Sequence, residues 1–174
     1  MENIVWATKI INSRCRVRQS NRMLGRVVEL VVDANKPRVI ALLIKKSRWT
    51  KEVRIIDIDR AVDWWNGVMQ VQGRILNHKL MTISKQLVQD KIMVLGRRAY
   101  SIGGERLGVV TDVSFNLVDG WIDHFVVDNG FGLWKKSTVL SADCYVETNQ
   151  KGVIFKTGAA LVKMKSQVEL ELIS

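Results

Sequence analysis

Short apolar runs rich in β-branched residues alternate with short polar turns along most of the chain. The valine-rich run at residues 25–33 leads into a turn that ends at Pro37, and residues 38–45 form the next apolar run. Residues 108–115 and 121–128 repeat this plan around a turn that contains Asp-Gly. Such runs predict strands, and Asp-Gly between them is a strong hairpin signal. The pattern therefore predicts two similar hairpins.

The two hairpins belong to an internal repeat. Leu24-Gly25-Arg26-Val27 aligns with Leu107-Gly108-Val109-Val110, and the alignment continues without a gap, at an offset of 83, to Lys46 and Asn129. Few positions are identical, but apolar, acidic and glycine positions coincide. A repeat of this length indicates two copies of one small domain, each of which buries only a modest core.

Each copy contains five or six predicted strands joined by turns, which is typical of a small β-barrel. We therefore predict an all-β fold with two small barrels in tandem. The predicted domains are residues 1–73 and 91–174, and residues 74–90 form the linker. Upstream of the aligned glycines, residues 16–21 are matched with residues 99–104, as a strand that enters a tight turn.

The net positive charge of the chain comes entirely from its first half. The net charge is +10, with 17 Lys and Arg against 7 Asp and Glu in residues 1–89, and 10 against 10 in residues 90–174. A strong local excess of one sign attracts surfaces of the opposite sign. We expect the first copy to bind an anionic partner and the second copy to lack this property.

Tryptophans lie beside several of the basic residues. Trp49 and Trp134 occupy equivalent connections next to lysines and arginines, and one ring of the Trp64-Trp65 pair faces outward if the pair lies on a strand. Exposed Trp and Arg are frequent hot spots of protein interfaces, although tryptophans also fill barrel ends. The predicted partner-binding residues are Arg14, Arg16, Arg18, Arg22, Lys45, Lys46, Arg48, Trp49, Lys51 and Trp134.

No catalytic or metal-binding motif accompanies this pattern. The two histidines are His78 and His124, and Asp123 and His124 are expected to point to opposite faces of a strand. Two histidines and two cysteines that are scattered along the chain are a weak set of metal ligands. The sequence predicts a non-enzymatic protein without catalytic residues, metal or cofactor.

The cysteine content and the N-terminus bear on the cellular location. Cys15 and Cys144 do not align in the repeat and do not form a disulfide framework, which favours two free thiols in a reducing compartment. The sequence shows no evident signal peptide, and no apolar run has the roughly 18–20 residues of a membrane helix. These features predict a cytoplasmic protein.

The order of these elements resembles the PRC-barrel family, which occurs in the cytoplasmic part of the photosynthetic reaction-centre H subunit and in the C-terminal half of the ribosome maturation factor RimM. The resemblance rests on Leu-Gly-x-Val with an acidic residue two positions later, a valine-rich strand, an aliphatic return strand and an acidic corner. It covers residues 9–73 and 91–158. The sequence departs from the family at Asn21-Arg22-Met23, and it lacks the usual Ile-Pro step at Ile55-Ile56-Asp57.

The resemblance implies a tandem PRC-barrel protein that acts as a non-enzymatic assembly or adaptor module. Together with the charge distribution, it favours a protein partner with an acidic surface. An RNA- or ribosome-associated maturation factor that uses the basic first barrel is the alternative. An enzyme and a peripheral membrane contact are less favoured, and self-association as a homodimer is compatible with the main interpretation.

Overall fold

The computed structural model describes residues 3–47, 49, 53–72, 93–130 and 136–156. Strands dominate these parts of the chain, and one short helix lies near the N-terminus. The first elements are β1 (Ile4–Trp6), α1 (Ala7–Ile10), β2 (Arg14–Val17), β3 (Met23–Val32), β4 (Val39–Lys45), β5 (Val53–Asp57), β6 (Ala61–Trp65) and β7 (Val68–Val71). The remaining strands are β8 (Arg98–Ser101), β9 (Arg106–Asn116), β10 (Ile122–Asn129), β11 (Lys136–Ser141), β12 (Tyr145–Thr148) and β13 (Val153–Phe155).

The strands form two sheets that share one order. The first sheet runs β5-β4-β3-β2-β7-β6 and the second β11-β10-β9-β8-β13-β12, so corresponding strands differ by six in number. In each sheet one contact is parallel, between β2 and β7 and between β8 and β13. A 3-10 turn follows β5 and β11 alike. The prediction of an all-β fold made of two equivalent halves is confirmed, and we call β2–β7 the first copy and β8–β13 the second.

The alignment upstream of the glycines is wrong by one residue. Cys15 pairs with Gly25 on β3, and Ala99 pairs with Gly108 on β9. Strands β2 and β8 therefore correspond at an offset of 84, and the counterpart of Arg16 is Tyr100 instead of Ala99. The connection that follows β2 is one residue longer than the one that follows β8, and a length difference in a turn leaves no signal in the strand pattern.

The paired glycines of the repeat carry the same backbone conformation. Gly25 and Gly108 have φ of +144° and +146°. A Cβ would lie 2.1 Å from the carbonyl oxygen of Lys45 at Gly25 and 2.2 Å from that of Asp128 at Gly108. These two contacts correspond under the offset of 83. Glycine is required at both positions because a side chain would collide with the neighbouring strand.

The two copies are joined by a symmetric pair of backbone hydrogen bonds. The amide of Val39 donates to the carbonyl of Gly120 at 2.8 Å, and the amide of Ile122 donates to the carbonyl of Pro37 at 2.8 Å. Replacing each residue by its counterpart in the other copy converts one bond into the other. The contact therefore has local two-fold symmetry. The connections between the central hairpin strands meet at this point.

The first strand of the chain belongs to the second sheet. Ile4 pairs with Asn116 and Trp6 with Ser114, so β1 lies antiparallel beside the C-terminal end of β9. Just beyond β1, the amide and hydroxyl of Thr8 both donate to the carboxylate of Asp112. A segment of the predicted first domain thus completes the second copy. The predicted linker, 74–90, lies outside the described residues, and the domain boundaries stay a prediction.

Acidic side chains occupy equivalent half-buried positions on β3 and β9. Glu29 accepts a hydrogen bond from the amide of Leu30, and Asp112 accepts one from the amide of Val113. Burial raises the pKa of both carboxyl groups, and at Asp112 the hydrogen bonds from Thr8 oppose that rise. The acidic residue that follows the Leu-Gly-x-Val sequence therefore accepts a backbone hydrogen bond within the central strand of each copy.

Side chains from both copies form one continuous apolar core. Leu24 is buried, and its counterpart Leu107 is half-buried against the same core. In the second copy, the ring of Phe125 stacks on Tyr145 at 5.6 Å between centroids. The hydroxyl of Tyr145 donates across to the first copy, 2.9 Å from the carbonyl oxygen of Ala34. The two copies therefore share one core and a side-chain hydrogen bond.

Gly120→Ala tests the contact between the copies. The new Cβ would lie 2.1 Å from the carbonyl oxygen of Val39, whereas a Cβ at Gly96, which has the same φ of +77°, meets nothing within 4 Å. Both changes carry the cost of a left-handed residue, about 1–2 kcal/mol. We expect Gly120→Ala to lose about 1–3 kcal/mol more than Gly96→Ala in urea unfolding, because it also overpacks the contact. Equal losses would contradict this assignment.

The two thiols should differ strongly in reactivity. Cys15 is fully buried, and burial raises its pKa to about 12, whereas Cys144 is half-buried. Because the thiolate is the reactive form, we expect one fast equivalent of thiol in native protein at about pH 8 and a second equivalent only after unfolding. An Ellman titration measures this, and Cys144→Ser should remove the fast equivalent. A fast reaction that survives in Cys144→Ser would contradict the burial of Cys15.

Candidate functional site: a basic face on the first copy

Basic side chains from three adjacent strands of the first copy lie in one row. Arg14 on β2 pairs with Arg26 on β3, and Arg26 pairs with Lys45 on β4. Directly paired residues point to the same face of a sheet, about 4.7–4.9 Å apart from strand to strand. Arg14 and Arg26 are exposed, and Lys45 is half-buried. Like charges at this spacing repel each other, so an anion bound over the row would be stabilised.

The row continues across β7 to an exposed tryptophan. Arg14 pairs with Val68 on β7, and Val68 pairs with Trp65 on β6. The ring of Trp65 is 77% exposed. We use the name basic face for this row, Trp65–Val68–Arg14–Arg26–Lys45, together with the neighbouring arginines described below. It combines a large exposed aromatic ring with several cations.

Three further predicted arginines extend the basic face along β2 and into the turn that follows it. Arg16 lies two residues beyond Arg14 on the same face and donates from Nη1 to Oδ1 of Asn21 at 3.1 Å. Arg18 and Arg22 are exposed in the turn, where the amide of Val17 closes the loop by donating to the carbonyl of Arg22. The predicted residues on β2 and its turn are thus brought together.

The other predicted residues have different outcomes. Lys46 is exposed directly after β4. Trp49 is 94% exposed, and its amide donates to the hydroxyl of Ser47. Arg48, Lys51 and Trp134 lie outside the described residues, so their part in the site stays a prediction.

Sequence reasoning missed two members of the basic face, Arg26 and Trp65. Trp64 turns inward and donates from Nε1 to the hydroxyl of Ser13 at 2.8 Å, which leaves its neighbour outside. The adjacent tryptophans showed that one ring would be exposed, but which one depends on strand register. Arg26 could have been found from its place one residue after the repeat glycine.

A cleft of about 320 Å³ opens on the basic face beside Trp65. Its walls come from β2, the turn after it and the β6–β7 hairpin. The polar and aromatic side chains that line it are Arg16, Arg18, Asn21, Trp65, Asn66 and Gln70. None of its lining residues is acidic.

The second copy does not reproduce the basic face. The counterparts of Arg14, Arg26 and Lys45 pair with one another in the same way, and they are Arg98, Val109 and Asp128. Asp128 also accepts a hydrogen bond from the hydroxyl of Ser137 at 2.6 Å. The difference in charge between the halves is therefore expressed at equivalent positions of one sheet face.

The expectation that Asp123 and His124 point to opposite faces is wrong. Nδ1 of His124 lies 2.8 Å from the carboxylate of Asp123, because the register of β10 shifts between Ile122 and His124. The hydroxyl of Ser114 approaches the same nitrogen at 3.4 Å. In a hydrolase triad, the acid and the nucleophile contact different ring nitrogens. These three side chains therefore lack the triad arrangement.

Neither a metal-ligand cluster nor a membrane-spanning helix is present in the described parts of the chain. No group of three or more His, Cys, Asp or Glu side chains is placed there to hold a metal ion. No described helix has the length and apolar character needed to cross a bilayer.

Comparison with known proteins identifies the second copy. No curated protein matches the chain. A family model of the PRC-barrel domain matches residues 93–162, which include all strands from β8 to β13. The predicted resemblance is confirmed for this part, and the assignment of the first copy stays a prediction. Residues 93–162 are a PRC-barrel domain.

Proposed function

We propose that this protein is a non-enzymatic binding module in which the basic face of the first copy holds a partner protein with an acidic surface. The observation that carries the proposal is the row that runs from Trp65 through Arg14 and Arg26 to Lys45 across five neighbouring strands. The second copy has an aspartate, Asp128, where the first has Lys45. A charge pattern that differs at matched positions points to a role for the first face beyond the common fold.

The composition of the face suits protein recognition. Arg and Trp are enriched among residues that dominate binding energy, since both bury a large area and Arg adds directed hydrogen bonds. Arg26 is already held in place, because its Nη1 donates to the carbonyl of Asn12 at 2.7 Å. Holding a side chain in place before binding reduces the entropy lost on association.

The proposal extends to the architecture. The first copy has the same strand order as the PRC-barrel domain at residues 93–162, and both copies carry glycine at the same strained position. We infer that the first copy is a second PRC barrel and that the tandem acts as an adaptor. The two free cysteines are consistent with a reducing, cytoplasmic setting.

A second candidate is binding of single-stranded RNA. It is favoured by the exposed ring of Trp65 beside arginines, since bases stack on exposed aromatic rings while cations hold the phosphates. The protein-partner proposal is preferred because the sequence contains no RNA-binding motif.

The double variant Arg14→Glu/Arg26→Glu tests the basic face. Reversing two charges in the row should reduce capture of the partner from host extract at least about tenfold. The new glutamates would repel the acidic surface that the two arginines attract. The matched control is Arg98→Glu/Arg106→Glu, which reverses two exposed charges on β8 and β9 of the second copy and should bind as the unchanged protein does. Quantitative mass spectrometry of the captured proteins, before and after nuclease treatment, is the measurement.

Several outcomes would contradict the proposal. Equal loss in both double variants would place the interaction elsewhere or make it nonspecific. Capture that disappears after nuclease treatment, with binding of labelled single-stranded RNA that falls steeply with salt, would support the RNA alternative instead. Circular dichroism and urea unfolding of each variant exclude loss of the fold as the cause.

A further inference from the structure

The cleft beside Trp65 has a feature that the rest of the basic face lacks. Nε of Arg16 is buried and has no hydrogen-bond partner. The Nη1 atom of the same guanidinium is fixed on Asn21. An unsatisfied buried N–H on a charged group is costly, and a ligand oxygen that reaches it would remove that cost.

We propose that this cleft binds a carboxylate group of a peptide segment, and that the guanidinium of Arg16 is the main hydrogen-bond donor to it. The inference rests on the proposed binding of an acidic protein partner and names the group that is recognised. The planar guanidinium can donate two parallel hydrogen bonds to the two oxygens of a carboxylate. Arg18, on the same cleft wall, adds positive charge without competing for Asn21.

The remaining lining side chains match a peptide backbone. Asn66 and Gln70 carry primary amides, each of which donates and accepts hydrogen bonds, as a peptide group requires. Trp65, which is 77% exposed, offers a flat apolar surface for the methylene groups that precede a side-chain carboxylate. All polar and aromatic groups of the cleft therefore have a role in the proposed complex.

The charges around the cleft agree with an anionic ligand. Its lining contains two arginines and no acid. Asp63 on β6 pairs with Gln70 on β7, so it lies on the same face next to the cleft, but it is not among the lining residues. In the second copy, Tyr100 stands where Arg16 does and Asn149 where Trp65 does, so the equivalent region has neither the guanidinium nor the indole ring.

A titration with short peptides followed by NMR tests the assignment. The probe is an N-acetylated peptide amide with two adjacent glutamates, and the Nε–H signal of Arg16 and the indole N–H signal of Trp65 are the reporters. We expect both signals to shift together on titration. The same peptide with glutamines in place of the glutamates should leave them unchanged, because it lacks the carboxylate. A third peptide, with glutamines and a free C-terminal carboxylate, distinguishes a chain end from an acidic side chain as the source of the group.

Two variants of equal charge separate a specific site from general attraction. Arg16→Lys keeps the charge but removes the pair of parallel N–H donors. It should weaken binding of the glutamate peptide at least about tenfold. Arg98→Lys changes the exposed counterpart of Arg14 in the second copy, outside the basic face, and it should bind the peptide within about twofold of the unchanged protein. Trp65 indole shifts follow the binding in both variants.

Equal weakening by both variants, equal binding of the glutamate and glutamine peptides, or no shift of the Arg16 signal at millimolar peptide would overturn the carboxylate site. Tighter binding of adenosine monophosphate than of the glutamate peptide would overturn it in favour of a nucleotide. These results are independent of the capture experiment. A partner lost in Arg14→Glu/Arg26→Glu without a cleft response leaves the proposed function standing, and a cleft response without a captured partner leaves only the site.

Discussion

The close approach of two backbone segments, one from each copy, sets how the two copies meet. Val39 and Ile122 exchange hydrogen bonds with the opposite copy, and Gly120 makes the distance possible because it has no side chain. Arg38 reinforces the contact by donating from Nε to the carbonyl of Asp119 at 2.7 Å. Once these segments are joined, the main apolar core contains buried side chains of both sheets.

The two copies contribute different kinds of side chain to the shared core. The second copy supplies three rings that contact one another, those of Phe125, Tyr145 and Phe155. The equivalent positions of Phe125 and Phe155 in the first copy are Leu42 and Val71, both buried in the same core. Aromatic rings bury more area than aliphatic side chains, so these two positions bury more apolar surface in the second copy than in the first.

Much of the fold could be predicted from the sequence because its strongest signals are local. The central hairpins follow from β-branched runs around turns, and β3, β4, β9 and β10 lie within a few residues of their predicted positions. Strand β1 could not be predicted, because its three residues form a strand only against β9, more than 100 positions away. The one-residue shift of β2 against β8 also depends on a turn whose length the pattern does not report.

The candidate site was predictable where charge alone was informative. Arg14 and Arg16 alternate along β2, and alternation on a strand places side chains on one face. The exposed member of the Trp64-Trp65 pair was not predictable, because the choice depends on whether the indole of Trp64 finds Ser13. The approach of Asp123 to His124 requires a bulge in β10, and bulges leave no reliable mark in the sequence.

Covalent duplication has a consequence for the evolution of the local two-fold contact. Two identical subunits joined by this symmetric contact would have to present the same outer surface on both sides, since any substitution would appear twice. In one polypeptide, the sequence of each half can change independently of the other. The shared backbone contact and the pairing of the N-terminal strand with the second sheet still hold the two halves together in a fixed geometry. An asymmetric docking platform can thereby arise from a symmetric scaffold without any change in how the scaffold assembles.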